Sequence, residues 1–398
     1  MLKNYKVRLK VLSPIHIGMG DCYDPTQFVF DKDGHMWVFD TNDFLKSLSP
    51  EKSADFCKLA ANSNNSIPVF RFFRDNFDRN KITCRQIKAS SDLLQRYNEI
   101  LASGSLKKDA FNQFELKRTI FNPIRNVPYI PGSSLKGCLK TFWMSENNRH
   151  SEMPIKRNCS DAPGKFDLKD FEKSQLNAGF SEDPFRFVKI SDLYPVKNDK
   201  VFDSMMMYAV MFPKKSDSQQ DQNKASKRAS LTVALEVIPK GNIFEGVITL
   251  DDQEAYPKDK QVRKISMEGL MQRSQGYYRL NRKSKDKQGN EKPVPSKTKR
   301  EINVLKEIGG AVDFNCAKEL WERVDKDCFL VRLGHHSSAE FITIDGCRSI
   351  KITPPQVKQP VYSDHSTTIW LASSKKKPDS PRELQPFGWA LLDFEEMK

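Results

Sequence analysis

The stretch that most restricts the fold is Ile130-Pro131-Gly132-Ser133-Ser134-Leu135-Lys136-Gly137, because it ends one segment and starts a helix within eight residues. Pro131-Gly132 turns the chain, and Ser133 or Ser134 is the natural N-cap. Leu135, Leu139 and Phe142 then fall on one helical face, so the helix must lie against another layer. Free backbone N–H groups point out of such a start, and Lys136 in its first turn makes a phosphate-sized anion site. The G-x-x-x-x-G-K-[ST] spacing of a nucleotide-binding loop is absent. The same residues also describe a well-capped helix whose Gly137 packs close to a sheet, and the local pattern fits both readings.

Elsewhere the periodicity is mostly that of strands. Tyr5, Val7, Leu9 and Val11 alternate with Lys6, Arg8 and Lys10, which is a half-buried strand, and Ser13-Pro14 ends it. Phe28–Phe30 and Met36–Phe39 surround Asp33-Gly34, a hairpin signal. Thr41 or Asn42 is expected to cap a helix running to about Leu48. Residues 50–120 read as mainly helical. Phe187–Asp192 reads as a strand, as do Leu231–Leu235 and Ile243–Leu250 around the turn Pro239-Lys240-Gly241-Asn242. Residues 213–228 are polar and too poor in apolar side chains to order themselves. Residues 281–300 read as a second solvated insert, with eight Lys/Arg against Asp286 and Glu291. A helix is expected over 301–324, then strands at Phe329–Leu333 and Gly388–Phe394.

Without the inserts the order is strand, helix, strand, strand, helix, strand. That predicts an α+β chain with a ferredoxin-like (RRM-like) βαββαβ core, a sheet with helices on one face. The expected organisation is a core over 1–345 and a C-terminal extension over 346–398 that returns to it. The core carries a mainly helical insert at 50–120, a second at 193–230 and a basic loop at 281–300.

Charge points to the partner. The 398 residues carry a net charge of +14, with a pI near 9.2, so the chain attracts polyanions, nucleic acid first. No basic amphipathic helix and no long apolar run suggests a membrane. The eight cysteines form no C-x₂₋₄-C pair, so a zinc knuckle is not expected. Buried free thiols in a reducing cytosol, and hence a cytoplasmic protein, are the expectation.

Two further stretches carry chemistry. In Ser13-Pro14-Ile15-His16-Ile17-Gly18-Met19-Gly20, a histidine sits at a strand end beside glycines that allow close backbone approach. In Arg332-Leu333-Gly334-His335-His336-Ser337-Ser338-Ala339-Glu340-Phe341, a strand ends at a glycine and adjacent histidines can donate to phosphate or move protons. Each also reads as an ordinary strand end or loop. The histidine spacing is wrong for a metal pair on one helix face.

Taken together, S-P-I-H-I-G-M-G, I-P-G-S-S-L-K-G-C-L-K and R-L-G-H-H-S-S-A-E-F resemble, in that order, the RAMP superfamily of CRISPR-associated proteins. K-I-S-D at 189–192 and E-V-I-P-K-G at 236–241 also resemble family features. The R-L-G-x-x-S-x-x-x-F ending and P-F-G-W-A-L-L are most similar to the fifth Csm-type subunit family of type III-A effector complexes. Where relatives carry several glycines in the late loop, only Gly334 stands here.

The resemblance implies a modified RNA-recognition fold with lid and thumb insertions, the thumb falling in 193–230. It implies a CRISPR RNA-binding structural subunit that caps the guide 3′ end and supports guide maturation. Implied partners are CRISPR RNA, target RNA and other Csm-type subunits, chiefly the repeated backbone RAMP subunit and also the small subunit. Expected RNA contacts are His16, Gly18 and Gly20; Gly132, Ser133, Ser134 and Lys136; and Arg332, Gly334, His335 and His336. Lys227, Arg228, Arg282 and Lys283 join them from the basic inserts. With no RNP1 aromatics, phosphate contacts should dominate. No catalytic residue, metal or cofactor is expected. A metal-independent CRISPR RNA-processing ribonuclease using these histidines is the alternative, with a generic RNA-binding protein third.

Overall fold

The structure, a computed structural model, describes residues 2–61, 66–103, 115–150, 170–172, 183–196, 204–214, 231–251, 264–285, 291–308, 328–352 and 359–398. Over these the chain is a mixed α+β protein with two large sheets.

In the first sheet the N-terminal strand Leu2–Val11 lies in the middle, antiparallel to Ile243–Asp251 on one side and to Trp389–Met397 on the other. Cys328–Arg332 pairs with the far side of Trp389–Met397, and Val188–Ile190 pairs with Ile243–Asp251. The period-two pattern decides the faces: Tyr5, Val7, Leu9 and Val11 are buried, while Lys6 and Arg8 stay outside and pair with Glu245 at 3.2 and 3.1 Å. The helices Gly132–His150 and Met267–Tyr278 cover the apolar face through Leu135, Leu139, Phe142, Leu270 and Tyr277. Each fully buried side chain of this kind contributes roughly 1.5–3 kcal/mol.

The second sheet runs in the order Gly18–Tyr23, Leu116–Thr119, Leu231–Val237, Met205–Pro213, Cys84–Lys88, His35–Phe39, Phe28–Phe30. Thr368–Ser373 also pairs with Met205–Pro213. The expected hairpin is present, with Gly34 at its turn. Helix Ser91–Ala102 covers one face with Leu93, Tyr97 and Leu101, opposite Met206, Tyr208 and Val210. Leu235, Met207 and Ala372 line the other face.

Several expectations change. The helix on the first sheet is Met267–Tyr278, not 301–324. Gly269, Ser274 and Gly276 obscure its period, and the Glu146 carboxylate lies against Gly276, 2.3 Å from where a Cβ would stand. The later helix is Lys297–Ile308, and 309–324 lies outside the described residues. The 193–230 insert contains the central strand Met205–Pro213, whose unbroken apolar run shows no period by which to tell strand from helix. The basic 281–300 insert is a two-stranded ribbon, Asn281–Lys285 with Glu291–Pro295, leading into a helix. Among the described residues, the 50–120 region mixes the helices Pro50–Ala61, Ile67–Asn76 and Ser91–Ala102 with the strands Cys84–Lys88 and Leu116–Thr119. Asp40, rather than Thr41 or Asn42, caps the helix Thr41–Lys46. The six described cysteines are free but not buried: five are half-buried and Cys57 is exposed.

Gly132 is the tightest point of the first layer. A Cβ there would lie 2.2 Å from the Ile190 carbonyl oxygen, whereas a Cβ on Gly137 would meet nothing within 4 Å. Gly132, not Gly137, therefore lets the helix pack close. Gly132→Val should cost about 1–3 kcal/mol by overpacking, and Gly137→Ala should gain about 0.5–1 kcal/mol from helix propensity. Denaturant unfolding of the two variants checks both signs.

Candidate nucleic-acid interface

Four chain segments pass side by side between the sheets, near residues 12–17, 238–242, 333–337 and 387–389. Ile15 bridges Ile238, and the N–H of Gly388 donates to the Pro14 carbonyl at 2.9 Å. The Leu333 N–H donates to the Gly388 carbonyl at 2.9 Å, and the His335 N–H to the His16 carbonyl at 2.7 Å. Gly334 and Gly388 have φ of +84° and +91°. A Cβ on Gly334 would sit 2.4 Å from the His16 carbonyl oxygen, and one on Gly388 would sit 2.3 Å from Ser337 Oγ. The late-loop glycine thus serves close approach of chain to chain.

This seam brings His16, Gly18, Gly334, His335 and His336 together from opposite ends of the sequence. The His16 and His336 rings stack at 6.3 Å, and His335 meets His336 edge-on at 4.2 Å. His16 is buried, its Nδ1 2.7 Å from the Glu236 carbonyl oxygen. That oxygen only accepts, so Nδ1 carries the proton and Nε2 is left as an acceptor. Burial lowers the pKa of all three histidines, and the Lys117 charge adds to it. His336, which also feels His335 and His16, is lowered to about 3. At neutral pH the cluster is therefore uncharged, and Lys117 supplies the positive charge. The uncharged rings can still donate hydrogen bonds, as the sequence reading expected, but carry no positive charge at neutral pH.

The seam is strained. His336 and Ser338 have φ of +64° and +63°, a region costing non-glycine residues on the order of 1–3 kcal/mol each. His336 packs against Trp370 at 4.7 Å and Phe387 at 5.4 Å, and its Nε2 is buried without a hydrogen-bond partner.

Beneath the seam lies Glu236, fully buried. Its carboxylate accepts from Arg85, from the Tyr23 hydroxyl at 2.7 Å and from the Thr119 N–H at 3.2 Å. Burial pushes its pKa up, but the Arg85 charge and these bonds outweigh that and hold it below the usual value. The Thr119 hydroxyl lies 3.3 Å from both the N–H and the carbonyl oxygen of Ile17. One carboxylate therefore fixes the strand that carries Lys117 and, through its own backbone carbonyl, His16.

The other expected contacts lie apart from this cluster. At the helix start the Gly132 N–H donates to Asp192 Oδ1 at 2.9 Å, so the cap comes from a carboxylate 60 residues on, and Ser133 and Ser134 sit inside the first turn. A carboxylate there competes with phosphate, which corrects the expectation of an open anion site. Ser133 is exposed, while Lys136 is half-buried. Burial lowers its pKa, with Asp183 opposing and Lys140 adding. Arg332 is buried, is held by both Glu301 oxygens and lies over Phe341 at 4.0 Å, so its charge is neutralised inside the protein. That replaces the expected RNA contact with a structural one. Gly20 is exposed at φ +80°. Arg282 and Lys283 lie on the ribbon Asn281–Lys285, and Lys227 and Arg228 lie outside the described residues. Sequence reasoning missed Lys117, Glu236, Arg85 and Trp370. Only Glu236, in E-V-I-P-K-G, carried a local signal. No group of three metal-ligating side chains occurs among the described residues, and none of their helices is long and apolar enough to cross a membrane.

Two sheets joined at a glycine-pinned seam, with a lysine beside three imidazoles, define an α+β protein. The RAMP superfamily model matches residues 8–302, and the chain belongs to that superfamily. A Methanocaldococcus jannaschii protein described as CRISPR system Cms protein Csm5 is 23% identical over 191 residues, 47% of this chain and 42% of that one. A Streptococcus thermophilus protein of the same description is 26% identical over 211 residues, 50% of this chain and 54% of that one. The chain thus matches about half the length of these curated relatives. A chain from the cryo-EM structure of a Csm–crRNA–target RNA ternary complex of a type III-A CRISPR–Cas system superposes with a TM-score of 0.57. The match covers 99% of this chain and 100% of that one at 16% identity, which shows a shared fold.

Two outcomes follow from the seam's electrostatics. Glu236→Gln leaves Arg85 buried without its counter-charge and should cost about 3–5 kcal/mol, read by denaturant unfolding. His336, with its folded pKa near 3, stabilises fully above its unfolded value and loses that contribution as pH falls. At pH 5 the loss relative to pH 7 is about 2 kcal/mol. His336→Asn should flatten that part of the stability–pH curve by the same amount.

Proposed function

We propose that the chain is a non-catalytic CRISPR RNA-binding subunit of a type III-A Csm interference complex, capping the guide 3′ end and supporting guide maturation. The observation that carries this reading is the meeting of His16 with Gly334–His336 beside Lys117, on a chain of net charge +14. The similarity to Csm5 proteins and to a chain of a Csm–crRNA–target RNA complex supports it. On this reading the partners are CRISPR RNA, target RNA, the repeated backbone RAMP subunit and the small subunit, in the cytoplasm. The first sheet with its two helices is then the ferredoxin-like core. In that core Trp389–Met397 lies between the N-terminal strand and Cys328–Arg332.

Gly18, Gly20, Ser133, Lys136, His335 and the basic ribbon with Arg282 and Lys283 are the proposed outer contacts. Gly334 and His16 shape the loop beneath them. Head-to-tail backbone stacking continues until a subunit presents a surface that does not match. The basic ribbon and the 346–398 segment are the proposed block, with one copy per complex.

The clustering of three uncharged imidazoles favours, as a second reading, a metal-independent ribonuclease. Repeat RNA incubated with the protein in EDTA separates the two: the binding reading expects intact RNA. Cleavage that His335→Ala abolishes would establish the nuclease instead.

RNA affinity should fall steeply with salt, and each lost phosphate contact should lower the log–log slope by about 1. Lys117→Ala should do so with little loss of stability. Lys136→Ala should do so too if the helix start touches phosphate, and wild-type binding would leave that start a helix cap only. Deleting the protein should leave longer, heterogeneous guide 3′ ends with a normal 5′ tag, read by sequencing the bound RNA. An altered 5′ end, or several copies by native mass spectrometry, would overturn the capping assignment.

A further inference from the structure

The strand Thr368–Ser373 presents one residue that the phosphate-binding reading does not use. Trp370 pairs in register with Met211, and Met207 pairs with Leu235, which in turn pairs with Lys117. Paired residues share a face, and Met207 and Met211 are four apart on one strand, so Lys117, Leu235, Met207, Met211 and Trp370 all lie on one face of the second sheet. Their strands run in the order Lys117, Leu235, Met211, Trp370, which places Trp370 about 14 Å across from the lysine strand. Trp370 also lies four residues further along the sheet than Lys117, about 13 Å, and Leu235 and Met207 between them are buried. A strand joining the two therefore spans roughly 19 Å, about three nucleotides, and passes over the loop that carries the exposed His335 rather than along the sheet.

Trp370 is only partly buried, although its neighbours Leu371 and Ala372 are wholly so. The ring is set by His336, which adopts a left-handed backbone rare for a side chain other than glycine and brings its imidazole to 4.7 Å from the indole. A core tryptophan needs no strained neighbour and no open side. A stacking surface needs both a fixed ring and an approachable one. On the other side of the same loop, His335 remains exposed.

We propose that Trp370 is a base-stacking residue: single-stranded RNA whose phosphates meet Lys117 and His335 lays a nucleobase on the indole, which His336 and the sheet hold in place. This rests on the RNA-binding reading above and adds a contact to the base where that reading has contacts to the backbone. Stacking tolerates any base, so the contact adds affinity without sequence preference.

The test measures anisotropy of a labelled single-stranded oligoribonucleotide with the full chain and its Trp370→Phe and Trp370→Leu variants. Thermal unfolding confirms that each is folded. Trp370→Leu keeps apolar bulk against His336 but has no π-face, so it should bind about ten-fold or more weakly with an unchanged salt slope. Trp370→Phe should recover most of the loss. Scanning one abasic nucleotide along the strand should reveal a position that weakens wild type but not Trp370→Leu. If Trp370→Leu binds like wild type, or if no abasic position distinguishes the two, the ring is only packing and the proposal fails while the RNA-binding reading stands. If the wild-type chain binds no RNA at low salt, both fail together.

Discussion

The buried carboxylate of Glu236 is the interaction on which the arrangement depends. It lies under the seam where the chain crosses between the sheets, and it joins Arg85, Tyr23 and Thr119 from three other strands. Such a group is stable only when every neighbour is in place, because an unpaired buried charge costs several kcal/mol. The second sheet cannot shift its strands relative to one another without breaking that set. The same residue's carbonyl holds His16, so the position of the histidine cluster follows from the order of the sheet.

The seam explains why glycine appears where it does. Gly334 and Gly388 lie where two backbones pass too closely for any side chain, and both take left-handed torsions. His336 and Ser338 share that torsional region without glycine's freedom. The loop is therefore rigid in a way a flexible phosphate-wrapping loop would not be. Rigidity and charge neutrality suit positioning, with lysines outside the cluster supplying attraction.

Much of the first sheet was legible from sequence. The alternation at Tyr5–Val11, the helix after Pro131-Gly132 and the strands near 188, 243, 329 and 389 all announced themselves by period or punctuation. The second sheet was largely hidden. Met205–Phe212 is apolar throughout and shows no period, and Thr368–Ser373 is short. The helix Met267–Tyr278 carries two glycines, which lower its propensity. Of the candidate site, the histidines stood beside glycines and were named from sequence. Lys117 and Trp370 sit on ordinary strands and carried no local signal.

By itself the sequence determined the elements of the first layer, the basic character of the chain and two stretches, at 13–20 and 130–140, that fall within the superfamily match, because period, charge and turn chemistry are local. Tertiary structure decided which stretches meet. It placed Leu231–Val237 and Ile243–Asp251, separated by one turn, in different sheets. It turned Arg332 inward to Glu301, closed the helix start with Asp192 and set His16 beside His335 and His336 across more than 300 residues. These are pairings between distant groups, settled by which buried charge and which close backbone contact can be satisfied together, and no local pattern contains them.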